Sequence, residues 1–230
     1  MLSEDIKNLI EGEVSASEAD LNFFSHDASI FEVKPELIVK PKNVDDIKKL
    51  VSFVSEKKST QPTRPGPDVS LTARAAGSDM TGGPLNESII LDFMAHFNKI
   101  HEIGADFAVV EPGVFYRDFE RETLKKGLLF PSYPASKSLC ALGGMVANNA
   151  GGEKSLSYGK TEKYVRELNV VLSDGNEYVF HSLTREGLED KKSQQNFEGQ
   201  IYREVHQLIE GNYEAIQAAK PDVSKNSAGY

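Results

Sequence analysis

Two glycine-rich segments constrain the fold of this chain more than any other feature, because each demands a backbone that turns tightly or lies flush against a neighbour. The first, ARAAGSDMTGGPLN at residues 73–86, sits between the apolar runs SLTARA and SIILDF. Glycine and small residues there let successive N–H groups turn inward into a concave nest that holds phosphate oxygens. Gly77, Ser78, Asp79, Met80, Thr81 and Gly82 are the candidate donors, with the hydroxyls of Ser78 and Thr81 adding to the set. A carboxylate is a poor direct neighbour for a phosphate, so Asp79 is expected to turn away or to bond the loop's own backbone. Arg74 is a possible helper for the anion, although a strand residue there more simply points away. Taken alone, the loop also reads as no more than a tight connection between strands.

The second segment, SLCALGGMVANNAGG at residues 138–152, mixes Leu142, Met145 and Val146, which can pack on a flat ring, with Gly143, Gly144, Gly151 and Gly152 for close backbone approach. Asn148 and Asn149 offer amide donors and acceptors, and SYGK at 157–160 adds another turn. By itself this stretch also reads as a glycine-rich helix-packing segment. A phosphate-sized anion and a large apolar ring contacted by separate loops are what a dinucleotide requires. Gly159-Lys160-Thr161 imitates the end of a Walker A loop, but Lys154 stands where that motif needs its first glycine, and the strand VRELNVVL follows instead of a helix. The GxGxxG fingerprint of nicotinamide-dinucleotide folds is absent.

Around these loops the pattern changes once along the chain. Ser3 to Gly12 reads as a short N-terminal helix capped by Ser3, and PELIVKP as an apolar strand between Pro35 and Pro41. Asn43 caps an amphipathic helix over 44–57, on which Val44, Ile47, Leu50, Val51 and Val54 recur at helical spacing. The Pro-rich stretch STQPTRPGPDVS predicts a loop. SLTARA, SIILDF, KIHEI and FAVVE predict short strands, and Phe115 to Lys126 a helix closed by Gly127. After them, the apolar runs 167–172 and 177–181 are joined through SDGN, a strong antiparallel hairpin signal, and Phe197, Ile201, Val205, Leu208 and Ile209 mark a further helix. The expectation is an N-terminal helical segment over 1–34, a small α/β lobe over 35–130 and a mostly antiparallel α+β lobe over 131–230, with a ligand held between the lobes.

Composition narrows the class. A formal charge of −9, without a basic stripe, argues against nucleic acid, whose phosphates need clustered Lys and Arg. No apolar run approaches the ~20 residues of a transmembrane helix, and the acidic N-terminus is wrong for a secretory signal. The single cysteine, Cys140, rules out an internal disulfide and fits a reducing cytoplasm. The five histidines, His26, His96, His101, His181 and His206, lack metal-ligand spacing, and neither a GxSxG elbow nor a Ser-His-Asp set can be picked out.

Taken in order, FSHDAS, PELIVKPKNVDDIKKLV, RAAGSDMTGGPLNESIILDF, VVEPGVFYRDFERETLKKGLLFP and ALGGMVANNAGGEKSLSYGKTEKYVRELNVVLSDG cover nearly the entire chain. This series resembles the PCMH-type FAD-binding domain of the vanillyl-alcohol-oxidase superfamily, most of all its D-lactate dehydrogenase and glycolate oxidase large-subunit branch. The resemblance implies a two-lobed α+β FAD-binding fold in which the first loop cradles the FAD pyrophosphate. Pro134, Gly143, Gly144, Ala147, Asn148, Asn149, Gly151, Tyr158 and Gly159 would line the rest of the cofactor. It implies oxidation of a 2-hydroxy acid by hydride transfer to the flavin, with the electrons passed on to an acceptor the sequence does not identify. Other branches, a sugar-alcohol oxidase or a cell-wall precursor reductase, are alternatives, as is a flavin- or partner-binding fragment without catalysis. Some members tether FAD to a histidine in the first loop; residues 74–83 contain none, so the expectation is noncovalent FAD, with Cys140 a packing residue. In similar proteins the segment like PDVSKNSAGY is followed by a glycine-rich strand and then a substrate-binding cap. The chain ends at Tyr230, so the resemblance implies a fragment, a separate domain or one piece of a split enzyme, with catalytic residues elsewhere.

Overall fold

The computed structural model describes residues 2–60 and 69–223 of the 230; most of the expected Pro-rich loop, and the last residues of the chain, lie outside them. Helix α1 (Leu2–Lys7) leads into strand β1 (Glu13–Ser15) and helix α2 (Glu18–Phe24). Strand β2 (Leu37–Lys40), helix α3 (Val44–Thr60), strand β3 (Leu71–Arg74) and strand β4 (Ile89–Asp92) follow. They form a four-stranded sheet in the order β1-β2-β4-β3, in which β2, β4 and β3 run parallel and β1 joins antiparallel.

The central strands, LIVK and IILD, are the most apolar because parallel strands are covered on both faces. With side chains alternating, Leu37, Val39, Ile89 and Leu91 pack against Ile6 of α1, Ile10 just after it, and Leu50 and Val54 of α3. Ile38 and Ile90 pack on the opposite face against Leu21 and Phe24 of α2. Each such fully buried aliphatic side chain contributes roughly 1.5–3 kcal/mol.

Asn43 does cap α3, its Oδ1 accepting from the Asp46 N–H at 2.9 Å. The Asp46 side chain is fully buried at the start of that helix. Its carboxylate accepts the N–H groups of Glu11 (2.9 Å), Gly12 (3.0 Å) and Lys42 (2.9 Å), tying the N-terminal segment to the helix. The first 34 residues are therefore not helical throughout: the chain bends at Gly12, against the backbone of Lys40 and Pro41, and delivers β1 to the sheet edge.

A second core begins after β4. Among the described residues, strands β5 (Ile100–Ile103) and β6 (Ala108–Val110) pair only with each other, and helix α4 (Tyr116–Leu124) follows. Ile100, Ala108 and Val110 pack against Val114, Tyr116, Phe119, Tyr133, Cys140, Leu142 and Met145. The packing thus runs across residue 130, where the strand-helix alternation suggested a break. Main-chain bonds from Tyr116 N–H to Cys140 O and from Leu142 N–H to Val114 O make the reason plain: the backbone after β6 is hydrogen-bonded to the second glycine segment.

That segment contains the short helix α5 (Leu142–Ala147), followed by α6 (Ser155–Tyr158) and a 3₁₀ turn at Thr161–Lys163. The expected hairpin is β7 (Glu167–Val171) with β8 (Glu177–His181), in register from Glu167↔His181 to Val171↔Glu177. Gly175 supplies the positive φ of +77° in its turn and abuts Ser52 of α3. Helices α7 (Arg185–Ser193), α8 (Phe197–Gly211) and α9 (Tyr213–Ala219) complete the described chain.

Candidate functional site

The first glycine loop leaves the C-terminal end of β3, the edge of a parallel sheet at which ligands generally bind. Asp79 does what its charge requires: its Oδ2 accepts the N–H of Thr81 (2.9 Å) and of Gly83 (3.0 Å) and the Thr81 hydroxyl (2.6 Å). Burial pushes that carboxyl up. The Thr81 hydroxyl and the amides of Gly83, Thr81 and Met80 outweigh it and hold the group below its ordinary range. The segment His26–Phe31 lies across the same loop. Asp27 accepts the Gly82 N–H at 3.1 Å, Ala28 N–H donates to the Asp79 carbonyl at 3.0 Å, and the Phe31 ring covers Gly82.

This network divides the expected donors. The N–H groups of Thr81 and Gly82 are spent inside the protein and Met80 N–H is turned to Asp79, while the Thr81 hydroxyl donates to the same carboxylate. The N–H groups of Gly77, Ser78 and Asp79 make no hydrogen bond among the described residues, so the donors left without a protein acceptor lie in the first half of the loop. Gly77 turns there with a φ of +66°. Arg74 does not point away into solvent. It is 6% exposed, and its guanidinium folds back beneath Gly77 while Nη1 donates to the Phe24 carbonyl at 3.1 Å.

The second segment meets the first through Gly144. A Cβ placed on Gly144 would find one neighbour, Ala75 Cβ at 3.9 Å, so the gap between the two loops is open at this point. Gly144, Ala147 and Asn148 are exposed on one face of the α5 turn, a smooth strip of small side chains. Leu142 and Met145, expected to stack on a ring, instead face the second core at 7% and 2% exposure. Helical periodicity turns them away from the strip, and only Val146 of the three is half-buried.

The remaining expected residues divide similarly. Asn149 is buried at 1% exposure with a φ of +44°. Its Oδ1 accepts the Glu162 N–H at 3.0 Å and its Nδ2 donates to the Glu162 carboxylate, which spends the amide on the scaffold. Gly151 packs against the Ser155 hydroxyl, and Gly152 against the Tyr133 carbonyl and Pro134. Tyr158 is exposed, its carbonyl accepting from the Tyr164 hydroxyl at 2.9 Å, and Gly159 turns with a φ of +86° beside Lys163. The Thr161 hydroxyl donates to the Ala150 carbonyl at 2.8 Å, so the Walker-like triplet is structural. Burial pushes the Cys140 thiol up, which makes it a packing residue. Asp27 was not among the residues expected here; an Asx-type turn, in which Asp27 Oδ1 accepts from Ser29 N–H at 2.8 Å, is the local signal that FSHDAS carried.

Among the described residues no helix is long and apolar enough to cross a membrane, and no group of three His, Cys, Asp or Glu side chains could hold a metal ion.

Comparison with known proteins shows the family and the fold. Residues 35–180 match the family model described as an FAD binding domain. The chain is 28% identical over 221 residues to a D-2-hydroxyglutarate dehydrogenase of Pseudomonas putida, covering 95% of this chain and 21% of that protein. It is 32% identical over 186 residues to glycolate oxidase subunit GlcD of Bacillus subtilis, covering 76% and 37%. A D-lactate dehydrogenase of Archaeoglobus fulgidus is 30% identical over 145 residues, covering 60% and 29%. The chain therefore spans between about a fifth and just over a third of these relatives. Among solved structures, 6-hydroxy-D-nicotine oxidase from Arthrobacter nicotinovorans superposes with a TM-score of 0.63 at 20% identity, over 75% of this chain and 36% of that one. Alkyldihydroxyacetonephosphate synthase gives 0.63 at 18% identity, over 85% and 36%; both likenesses concern the fold.

Proposed function

Because the chain belongs to the FAD-binding domain family, we propose that it is the flavin-holding part of an oxidoreductase whose substrate is a 2-hydroxy acid of the D-lactate, glycolate or D-2-hydroxyglutarate kind. The substrate class rests on the names of the relatives. The observation that carries the site is the meeting of the two glycine segments at Ala75 and Gly144, beside loop amides with no acceptor among the described residues. A dinucleotide with an anionic middle and a flat apolar end fits that arrangement. When bound, FAD supplies the hydride-accepting ring, a redox function that side chains lack.

The chain's own residues bind and orient. The amides of Gly77, Ser78 and Asp79 offer donors to the diphosphate, and Asp79 and Asp27 hold the loop in the shape that presents them. The Gly144, Ala147 and Asn148 strip allows close approach of a planar group, while Asn149 and Thr161 lock the turn that follows α5. Association is noncovalent in this reading: the loop has no histidine, and the one thiol is buried. The hydroxy acid would be held by a cap domain or a second subunit, as the resemblance implies, and a cytoplasmic setting fits the lone cysteine.

The direct test is the visible absorption spectrum of the purified chain during titration with FAD. Flavin bands should shift as FAD binds, and acid precipitation should release all of the colour into the supernatant. A folded chain that leaves the spectrum unchanged at saturating FAD would defeat the reading, and colour kept in the pellet would defeat its noncovalent part.

A further inference from the structure

We propose that Arg74 is a positioning residue that makes this site select a diphosphate, acting from behind Gly77 on the amides of Gly77, Ser78 and Asp79, which make no hydrogen bond among the described residues. The inference rests on the flavin reading and adds to it a source of charge that the loop itself lacks.

The loop is stitched together by carboxylates. Asp79 accepts from Thr81 and Gly83, and Asp27 from Gly82. A diphosphate brings further negative charge to the same few residues, and backbone amides offset it only with partial charges. A cation is needed close by, yet clear of the space the ligand takes.

Arg74 meets both conditions. It is the last residue of β3, paired in register with Asp92 of β4, and it is more than nine-tenths buried. The side chain folds back under the loop until the guanidinium lies flush with the backbone of Gly77. A Cβ at position 77 would stand 2.5 Å from Nη2, 2.8 Å from Cζ and 2.9 Å from Nε. Glycine at 77 therefore serves two purposes, the positive φ of the turn and the room for the guanidinium.

Among the described residues the Arg74 side chain makes one hydrogen bond, to the Phe24 carbonyl, although a guanidinium carries five N–H donors. The Phe24 ring, 5.1 Å from Cζ, covers one face. Burial draws the guanidinium's pKa down and Asp27 and Asp92 draw it up; the group stays cationic at neutral pH. A cation serving only to anchor Phe24 to the sheet would not need to sit against a loop in which three successive N–H groups make no hydrogen bond among the described residues.

The test separates charge from structure by ligand. The full chain, wild-type and Arg74→Gln, is titrated with FAD, and bound FAD is then displaced with ADP or with adenosine, which differ by the diphosphate alone. The expected result is about tenfold weaker FAD and ADP binding in Arg74→Gln with adenosine unchanged, a shift equivalent to about 1.4 kcal/mol. Equal losses for ADP and adenosine, or no loss of FAD, would overturn the proposal. Asp92→Asn gives the opposite reading and covers the case in which Arg74→Gln does not fold. An asparagine Oδ1 can still accept the Met94 N–H that Asp92 Oδ1 accepts at 2.9 Å, while one competing negative charge beside Arg74 is removed. FAD and ADP should then bind about threefold more tightly, and unchanged affinity would overturn the proposal. If the wild-type chain binds neither FAD nor ADP, it is the flavin reading that fails, and this inference falls with it.

Discussion

Replacing Asp46 with alanine is expected to lower the free energy of unfolding by about 3 kcal/mol, the largest effect of any single polar substitution proposed for this fold. Three backbone N–H groups, from Glu11, Gly12 and Lys42, converge on its carboxylate, and the group itself is fully buried at the first turn of α3. Alanine would leave all three donors without an acceptor, each costing roughly 1–3 kcal/mol, less whatever water recovers at the exposed Glu11 and Lys42. It would also remove a negative charge from the positive end of the helix dipole. Asparagine is a poor substitute. Oδ2 now accepts from both Gly12 and Lys42, and an amide NH₂ in its place would face those donors with donors. Urea denaturation of the three proteins checks this, with the slope held constant between them. A loss under about 1 kcal/mol for Asp46→Ala would mean that the N-terminal segment is not held to the sheet as described.

The largest functional effect is expected at Gly144. A leucine there should weaken FAD binding about a hundredfold without lowering thermal stability. The helix gives no reason for glycine at an exposed position, since it costs up to about 1 kcal/mol against alanine. The fold leaves room for a side chain, the nearest neighbour to a Cβ being Ala75 at 3.9 Å. That room is the gap between the two glycine loops, so a bulky residue would fill the space proposed for the cofactor and not the protein's own packing. Gly143 is the control. A Cβ at 143 would meet Pro112 Cβ at 2.5 Å and Pro112 O at 2.9 Å, so Gly143→Ala should cost stability, roughly 1–3 kcal/mol. Equal melting-temperature losses in the two variants, or full FAD affinity in Gly144→Leu, would show that this gap is not the cofactor's.

These two sites also show how unevenly the molecule could be read from its residues. Asp46 and Gly144 both stand in stretches whose local structure the sequence announces. Asn43 caps the helix that holds one, and the glycine pair marks the segment that holds the other. Neither role is visible locally. The partners of Asp46 include residues 35 and 34 positions away, and the neighbour of Gly144 belongs to the other loop.

What the sequence determined by itself is whatever depends on a few adjacent residues. The continuous apolar runs LIVK and IILD became the buried parallel strands, because a strand covered on both faces cannot alternate. SDGN became a hairpin turn because Gly175 can take a φ of +77°. Asp79 bonded its own loop because its carboxylate has amides two and four residues away. Tertiary structure decided everything that required distant segments to meet. Residues 13–15 became a strand only because β2 lay beside them, Leu142 and Met145 turned from the exposed small-residue strip into the second core, and Asn149 was spent on Glu162. Asp27 reached Gly82, 55 residues on, and Arg74 curled beneath Gly77 instead of leaving the sheet. The physical reason is common to all of these. Backbone conformation is set by sterics within a few bonds, whereas a polar side chain takes whichever partner the packed chain places within hydrogen-bonding distance.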